Sequence, residues 1–480
     1  MLVANVVIWS GLIQRTVGAN PEDVELGWAR AYSPWPGRVY VTGLKLRLQD
    51  PMVQFQLEIE KATVDVTLWE LPRKKFRASY VVAQGVRYRM LAKVDTVEGN
   101  ERRLDAFPPI DGFAGPALRP NPPPPFPTQA VIDTLWSVQI DEVHADIDEL
   151  WFLEYRYRGN AHVDGAFALS PLRQLWVGPA LLRLNGGELR VGEHVLAPSF
   201  NGRAEVTIAP VDLAASPGLR VLHTLSATIQ FETAVENLSA AKLYVDGLQA
   251  SGKGKLRANV RVADGKLIPG TELEASFTEA KATLEGFRFT GDAHASLTVP
   301  KDSLEPAGEA KLSGTVTLPL PKDKAATATL SNVTAHWVLS NDLTMGSGLQ
   351  QFSAVLGEAQ VNDVRDITRL VGSSAPLVPL VAPLVLGDGP LLASATMYAT
   401  PEYTLVRLKQ LTLGDAAFEG AAVAGANGWS GALAGRFGKI PLGFRLRENK
   451  LESVLFAPPT WLGIELLKAG IKPDLPAKAL

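Results

Sequence analysis

The sequence predicts a mainly β fold: a long, curved antiparallel sheet forming an apolar groove, with few short helices and an N-terminal membrane anchor. Three observations lead there. Between Gly37 and Met90, apolar residues occupy every second position through four successive segments, the period of a strand with one greasy and one wet face. The same alternation returns repeatedly toward the C-terminus. Helical stretches able to cover so much one-faced strand are scarce, so the greasy side must stack on another layer, curl on itself, or hold an apolar ligand.

Composition narrows the classes. A chain of 480 residues has room for about three domains of ordinary size. Its formal charge of -3, from Lys+Arg 47 against Asp+Glu 50, offers nucleic acid no attractive field. The absence of cysteine excludes a disulfide framework, a thiolate metal site and a cysteine nucleophile.

The first element, residues 1–18, is apolar from Leu2 to Ile13. At ~1.5 Å per residue it covers roughly 18 Å of a hydrocarbon layer about 30 Å thick. It also lacks the basic residues that precede a signal peptide's apolar region. Two readings stand: the rear half of a membrane anchor whose start has been placed too late, and a buried N-terminal helix. An uncapped apolar segment beginning at residue 2 is odd for a soluble protein, which favours the anchor. Its membrane residues are then Leu2, Val3, Val6, Val7, Ile8, Trp9, Leu12 and Ile13.

Residues 19–106 form the first β unit. Asn20 as cap, Pro21 at the first helical position and the following Glu22 and Asp23 predict a short helix. A turn at Tyr32–Gly37 leads into the strands. Leu44, Leu46 and Leu48 line the apolar face of one, Val53, Phe55, Leu57 and Ile59 that of the next, and Val64, Val66 and Leu68 continue it. Parity slips between Ile59 and Ala62, which predicts a bulge or bend that keeps both halves facing the same way.

Residues 107–128, with Pro122 to Pro125 in a row, read as a stiff extended linker. The largest β region, 129–365, follows. Val143, Ala145 and Ile147 alternate with His144, Asp146 and Asp148. Further along, Leu256, Val260 and Val262, then Leu273 and Phe277, then Leu297 and Val299 extend the apolar face. Asn185-Gly186-Gly187, Ala263-Asp264-Gly265 and Pro321-Lys322-Asp323-Lys324 read as hairpin turns.

Residues 366–390 contain an apolar stretch, Ala375 to Gly387, interrupted by Pro379 and Pro383. It reads as a buried helix or loop closing one end of the sheet. Strands resume over 391–456, with Leu442, Phe444 and Leu446 on the apolar face. Residues 457–480 hold a helix and tail whose stripe of Trp461, Ile464, Leu467 and Leu466 is expected to pack on the sheet.

Catalytic chemistry has little to start from. The six histidines, at 144, 162, 194, 223, 294 and 336, include no pair three or four residues apart, so no zinc pair on one helix turn is expected. The acidic group Asp141, Glu142, Asp146, Asp148 and Glu149 around His144 reads as a solvated strand face, with a calcium or acid/base site as the lesser alternative. No P-loop and no G-x-S-x-G elbow occurs. The residues propose no enzyme, no cofactor, no metal and no nucleic-acid partner.

PGRVYVTGLKLRL, KATVDVTLWEL and FRASYVVAQGVRY behind an apolar N-terminus, with GRFGKIPLGFRLRENKLESVLF near the other end, resemble AsmA-like proteins, TamB-related bacterial envelope proteins of the repeating β-groove type. By pattern the resemblance extends over most of the middle. It implies a chain anchored once in the bacterial inner membrane with its bulk in the periplasm. Its partners would be membrane lipids and envelope proteins, and its role phospholipid transport or outer-membrane homeostasis. The physics of the groove agrees. About 25 to 30 strands at ~4.8 Å spacing would give a trough of roughly 120–140 Å, and each CH₂ buried from a phospholipid acyl chain is worth ~0.8 kcal/mol. The competing expectation is a closed β-sandwich or solenoid acting as a structural or assembly factor of the envelope.

Overall fold

The structure, a computed structural model, describes residues 5, 10, 11 and 23–471, except 114, 123, 217, 244–246, 285–286, 302–304, 321–323, 343–348, 362–390, 400–403, 414–415, 426–427, 438, 449, 456 and 459. The described chain is mainly β. It divides into two compact units, one of residues 1–244, 255–271 and 342–345, the other of 245–254, 272–341 and 346–480.

The first unit opens with β1 (Val24–Gly27), β2 (Arg30–Trp35), β3 (Arg38–Gln49), β4 (Val53–Val66) and β5 (Lys75–Ala92). After α1 (Glu101–Ala106) and α2 (Gln129–Ile132) come β6 (Ser137–Phe152), β7 (Tyr155–Ser170), β8 (Gln174–Val191), β9 (His194–Asp212) and β10 (Leu225–Val235). β11 (Gln249–Ala263), of which residues 255–263 belong to this unit, and the two-residue β12 (Lys266–Leu267) follow, turning at Asp264 and Gly265 as expected. β1 and β2 both pair with β3, and from β3 to β10 each strand pairs with the next.

Every one of these pairs is antiparallel except β5–β6, which is parallel. The sheet is therefore mixed, correcting the all-antiparallel expectation. Parallel neighbours need a crossover of a dozen or more residues, and the segment between Ala92 and Ser137 is that crossover.

The second unit is an antiparallel meander: β13 (Glu272–Leu284), β14 (Phe287–Thr298), β15 (Ala307–Leu320), β16 (Lys324–Leu339), β17 (Leu349–Val361), β18 (Leu391–Ala399), β19 (Thr404–Leu413), β20 (Ala416–Gly425), β21 (Gly428–Phe437), β22 (Ile440–Arg447) and β23 (Lys450–Leu455). α3 (Trp461–Lys468) closes it.

Several local expectations are corrected. The helix predicted after Asn20 is replaced by β1 and β2, because Val24 and Leu26 gain cross-strand partners in Leu48 and Leu46 that outweigh a weak helix signal. Asn185, Gly186 and Gly187 do not turn the chain; they lie within β8, where Gly186 has φ 69° and the register against both neighbours shifts. Leu68 leaves the sheet in a 3-10 turn, Leu68–Arg73, and is exposed.

The parity slip in β4 is real, yet no register shift accompanies it: Thr42 pairs Lys61 and Leu44 pairs Ile59 on one side, while Lys61 pairs Gln84 and Ile59 pairs Val86 on the other. The neighbours slip at the same line. Gly43 in β3 (φ 62°) and Gly85 in β5 (φ 66°) flank Glu60, so three strands change parity together and the apolar face continues unbroken. Only a residue tolerant of positive φ fits at these two places.

α3 packs on the second unit's sheet as expected, with half of the predicted stripe buried. Trp461, Glu465 and Leu466 face the sheet, whereas Ile464 and Leu467 are exposed. A salt-bridged carboxylate takes the inward place that the pattern assigned to apolar side chains. The stretch 375–387 and the anchor residues Leu2, Val3, Val6, Val7, Ile8, Trp9, Leu12 and Ile13 lie outside the described residues. Among the described residues no helix is long and apolar enough to cross a membrane.

Candidate functional site

In the first unit, pairing places the predicted apolar residues on one face. Leu46 stands opposite Leu57, Leu57 opposite Tyr88, and Leu44, Ile59 and Val86 form the next row. The row at Val64 and Ala62 runs through Val81 and Ala83 to Val143 and Ala145. Val163, Leu182, Ala204 and Ile229 carry the same face across β7, β8, β9 and β10. A single apolar surface thus spans eight consecutive strands.

Part of this surface is buried and part is only half-buried. Ala62, Ala83, Ala145, Ala161 and Ala197 are buried, with Val86, Ile147, Tyr157 and Phe200 among them. Leu44, Leu46, Leu48, Val53, Phe55, Leu57, Ile59, Val64 and Val66 are all half-buried. Farther along the same face Phe152 is 51% and Tyr155 43% exposed, more than a packed second layer would leave.

The opposite, polar face carries the cover. On β4, Gln54 and Gln56 are 5% and 1% exposed, the reverse of what alternation suggests. The covering layer is the stretch after α1, read from sequence as linker. Phe107, Ile110 and Ala117 pack with Leu91, and Arg47 Nη1 donates to the Asp111 carbonyl at 2.6 Å while stacking on Phe113. On the same face Glu149, 3% exposed, accepts from Arg89 (2.8 Å), Arg156 (2.6 Å) and Arg158 (3.1 Å). Burial pushes the Glu149 carboxyl up, but the hydrogen bonds from Arg156 and Arg89 outweigh it and hold it below the usual glutamate range.

The second unit repeats the arrangement. Leu273 pairs with Leu297, Leu433 with Phe444, and the Phe418 and Phe444 rings lie 5.9 Å apart. Leu273, Phe277, Leu297, Leu442, Phe444 and Leu446 are half-buried. α3 lies on the other face, where the Trp461 ring occupies the space above Gly443 and Arg445 Nε reaches Glu465 at 2.6 Å. Lys468 and Arg445 hold the Glu465 carboxyl below its usual range despite burial. Of the remaining predicted residues, Leu256 and Val260 are half-buried in β11, Val262 is buried there, and Val299 is buried just past the end of β14.

The apolar surface offers little for polar recognition. Burial pushes the Tyr88 phenol up to about 12, and its hydroxyl lies 3.2 Å from Met90 Sδ. Convergent polar groups occur instead on the polar face of β6 and β7, where pairing sets His144 against Asp164 and Asp146 against His162. Asp164 and Glu142 raise the His144 imidazole, Asp146 and Asp164 raise His162, and His144, His162 and Arg183 pull Asp164 down to about 2. A search for histidines one helical turn apart misses this pair, since antiparallel strands join residues far apart in sequence. The legible signal was the repeated H-x-D of His144-Ala145-Asp146 and His162-Val163-Asp164.

Compared with models of protein families and with curated proteins, the chain matches none.

Proposed function

We propose that this chain shields lipid acyl chains on the apolar sheet faces of its two units, as a non-enzymatic, AsmA-like envelope protein in phospholipid transport or outer-membrane homeostasis. The observation that carries the reading is the inversion of cover. Phe107, Ile110, Phe113 and Ala117 in the first unit and α3 in the second pack on the face opposite Phe55, Leu57, Phe418 and Phe444, which are half-buried. An apolar wall with few hydrogen-bonding groups discriminates poorly between lipids, which suits a carrier of many species. The inner-membrane location and envelope partners rest on the resemblance of the two chain ends to that family. The test is native mass spectrometry of the full chain gently purified from a bacterial envelope, followed by lipid extraction. Co-purifying phospholipid supports the reading, and a lipid-free protein that takes up none from vesicles refutes it.

A second reading draws on one observation. Tyr157, Phe200 and five alanines form a buried cluster beside Leu57 and Ile59, which suits a closed, purely structural sheet. Leu57→Asp separates the two: a closed core unfolds, whereas an open face stays folded and loses lipid.

A further inference from the structure

We propose that His144, His162 and Asp164 bind one divalent transition-metal ion of the zinc class on the polar face of the first unit. Asp164 Oδ1 lies 2.7 Å from His144 Nδ1 and 3.0 Å from His162 Nε2, and the ligand atoms fall within 4.8 Å of one another. Two imidazole nitrogens and one carboxylate oxygen are a donor set that suits zinc, with the fourth position left to solvent. The three side chains are 33%, 35% and 30% exposed, so an ion has access without crossing the core.

The surroundings fit the same use. The other ring nitrogen of each histidine meets its own carboxylate: His144 Nε2 lies 2.9 Å from Glu142, and His162 Nδ1 lies 2.8 Å from Asp146. Metal-bound histidines characteristically donate their second N–H to a carboxylate, which fixes tautomer and ring orientation. Arg183 holds Asp164 Oδ2 at 2.9 Å, aiming Oδ1 at the histidines. The ligands sit on paired strands whose register fixes their spacing, a more rigid platform than a loop. A ladder of ion pairs alone, with both imidazoles protonated, is the competing account.

Isothermal titration of the chelator-treated full chain with Zn²⁺ in mildly alkaline buffer decides between them. The expected result is one saturable site, abolished by Asp164→Asn and His144→Gln, weakened about 10–100-fold by Asp146→Asn, and unchanged by His294→Gln. Circular dichroism identifies any variant that fails to fold. A measurement on the unsubstituted chain needs no variant: Zn²⁺ slows diethylpyrocarbonate modification of His144 and His162 but not of His294. Absence of saturable binding, binding retained by Asp164→Asn, or absence of that protection overturns the proposal.

Discussion

Gln56 and Leu57 are consecutive on β4, and their usual places are exchanged: Gln56 is 1% exposed and Leu57 only half-buried. Gln56 stands between Arg47 and Arg89, whose guanidiniums donate to the Asp111 and Pro109 carbonyls. Its own Nε2 donates to Glu58 at 2.7 Å, while its Oε1 has no protein partner among the described residues. Leu57→Asp is therefore expected to keep a native circular dichroism spectrum and a cooperative unfolding transition while losing bound lipid. Removing a half-buried leucine costs less than the about 2–5 kcal/mol of a fully buried one.

Glu149 is the keystone of the covered face. Glu149→Gln leaves Arg89, Arg156 and Arg158 around a neutral amide, and breaking a buried ion pair from one side costs about 3–5 kcal/mol. The urea midpoint of the first unit should fall accordingly, and an unchanged midpoint would show the pair to be neutral. The pH dependence has a definite sign. A carboxyl lowered in the folded state stabilises fully above its ordinary value of 4.5, and that stability is lost as pH falls through the lower folded value. Glu149→Gln should flatten the acid limb of the stability profile.

The crease shared by β3, β4 and β5 depends on glycine. A Cβ at Gly85 would sit 2.7 Å from Glu60 Cβ, on a backbone with φ 66°. Left-handed backbone costs an L-residue about 1–2 kcal/mol, and crowding adds to it. Gly99, with φ 79° and open space around it, isolates the backbone part. Thermal unfolding should therefore show Gly85→Ala more destabilising than Gly99→Ala, whereas equal losses would mean that Glu60 yields freely.

Docking of α3 depends on the space above Gly443, where a Cβ would lie 2.6 Å from the Trp461 ring. Gly443→Val should cost about 1–3 kcal/mol by overpacking and raise hydrogen exchange across Trp461–Lys468. Protection equal to that of the unsubstituted chain would show that the helix is held elsewhere, through Glu465.

Much of the strand order follows from local pattern. The alternations at Leu44–Leu48 and Val53–Ile59 are close in sequence and joined by a short turn, so their pairing is fixed by neighbours. What stayed hidden depends on contacts between distant parts. The parallel β5–β6 pair goes with a crossover in which Val94, Leu104, Phe107, Ile110, Phe113 and Ala117 pack with Leu91 on the polar face, and nothing in Lys75–Ala92 itself announces it. The burial of Gln54 and Gln56 has the same cause. His144 and Asp164 meet through a register that bulges in β6 adjust, at Ile140/Val143 and Ile147/Glu149, and alternation counted along one strand does not reveal which residue stands opposite.

Site-specific photocrosslinking in the bacterial envelope tests the central claim most directly. A photoreactive side chain at Leu57 looks onto the half-buried apolar face, and one at Glu205, exposed on β9, looks away from it. The expected result is phospholipid adducts at Leu57 and none at Glu205, with both proteins folded. Protein that is folded yet carries no lipid at Leu57, or equal labelling at both positions, would contradict the account.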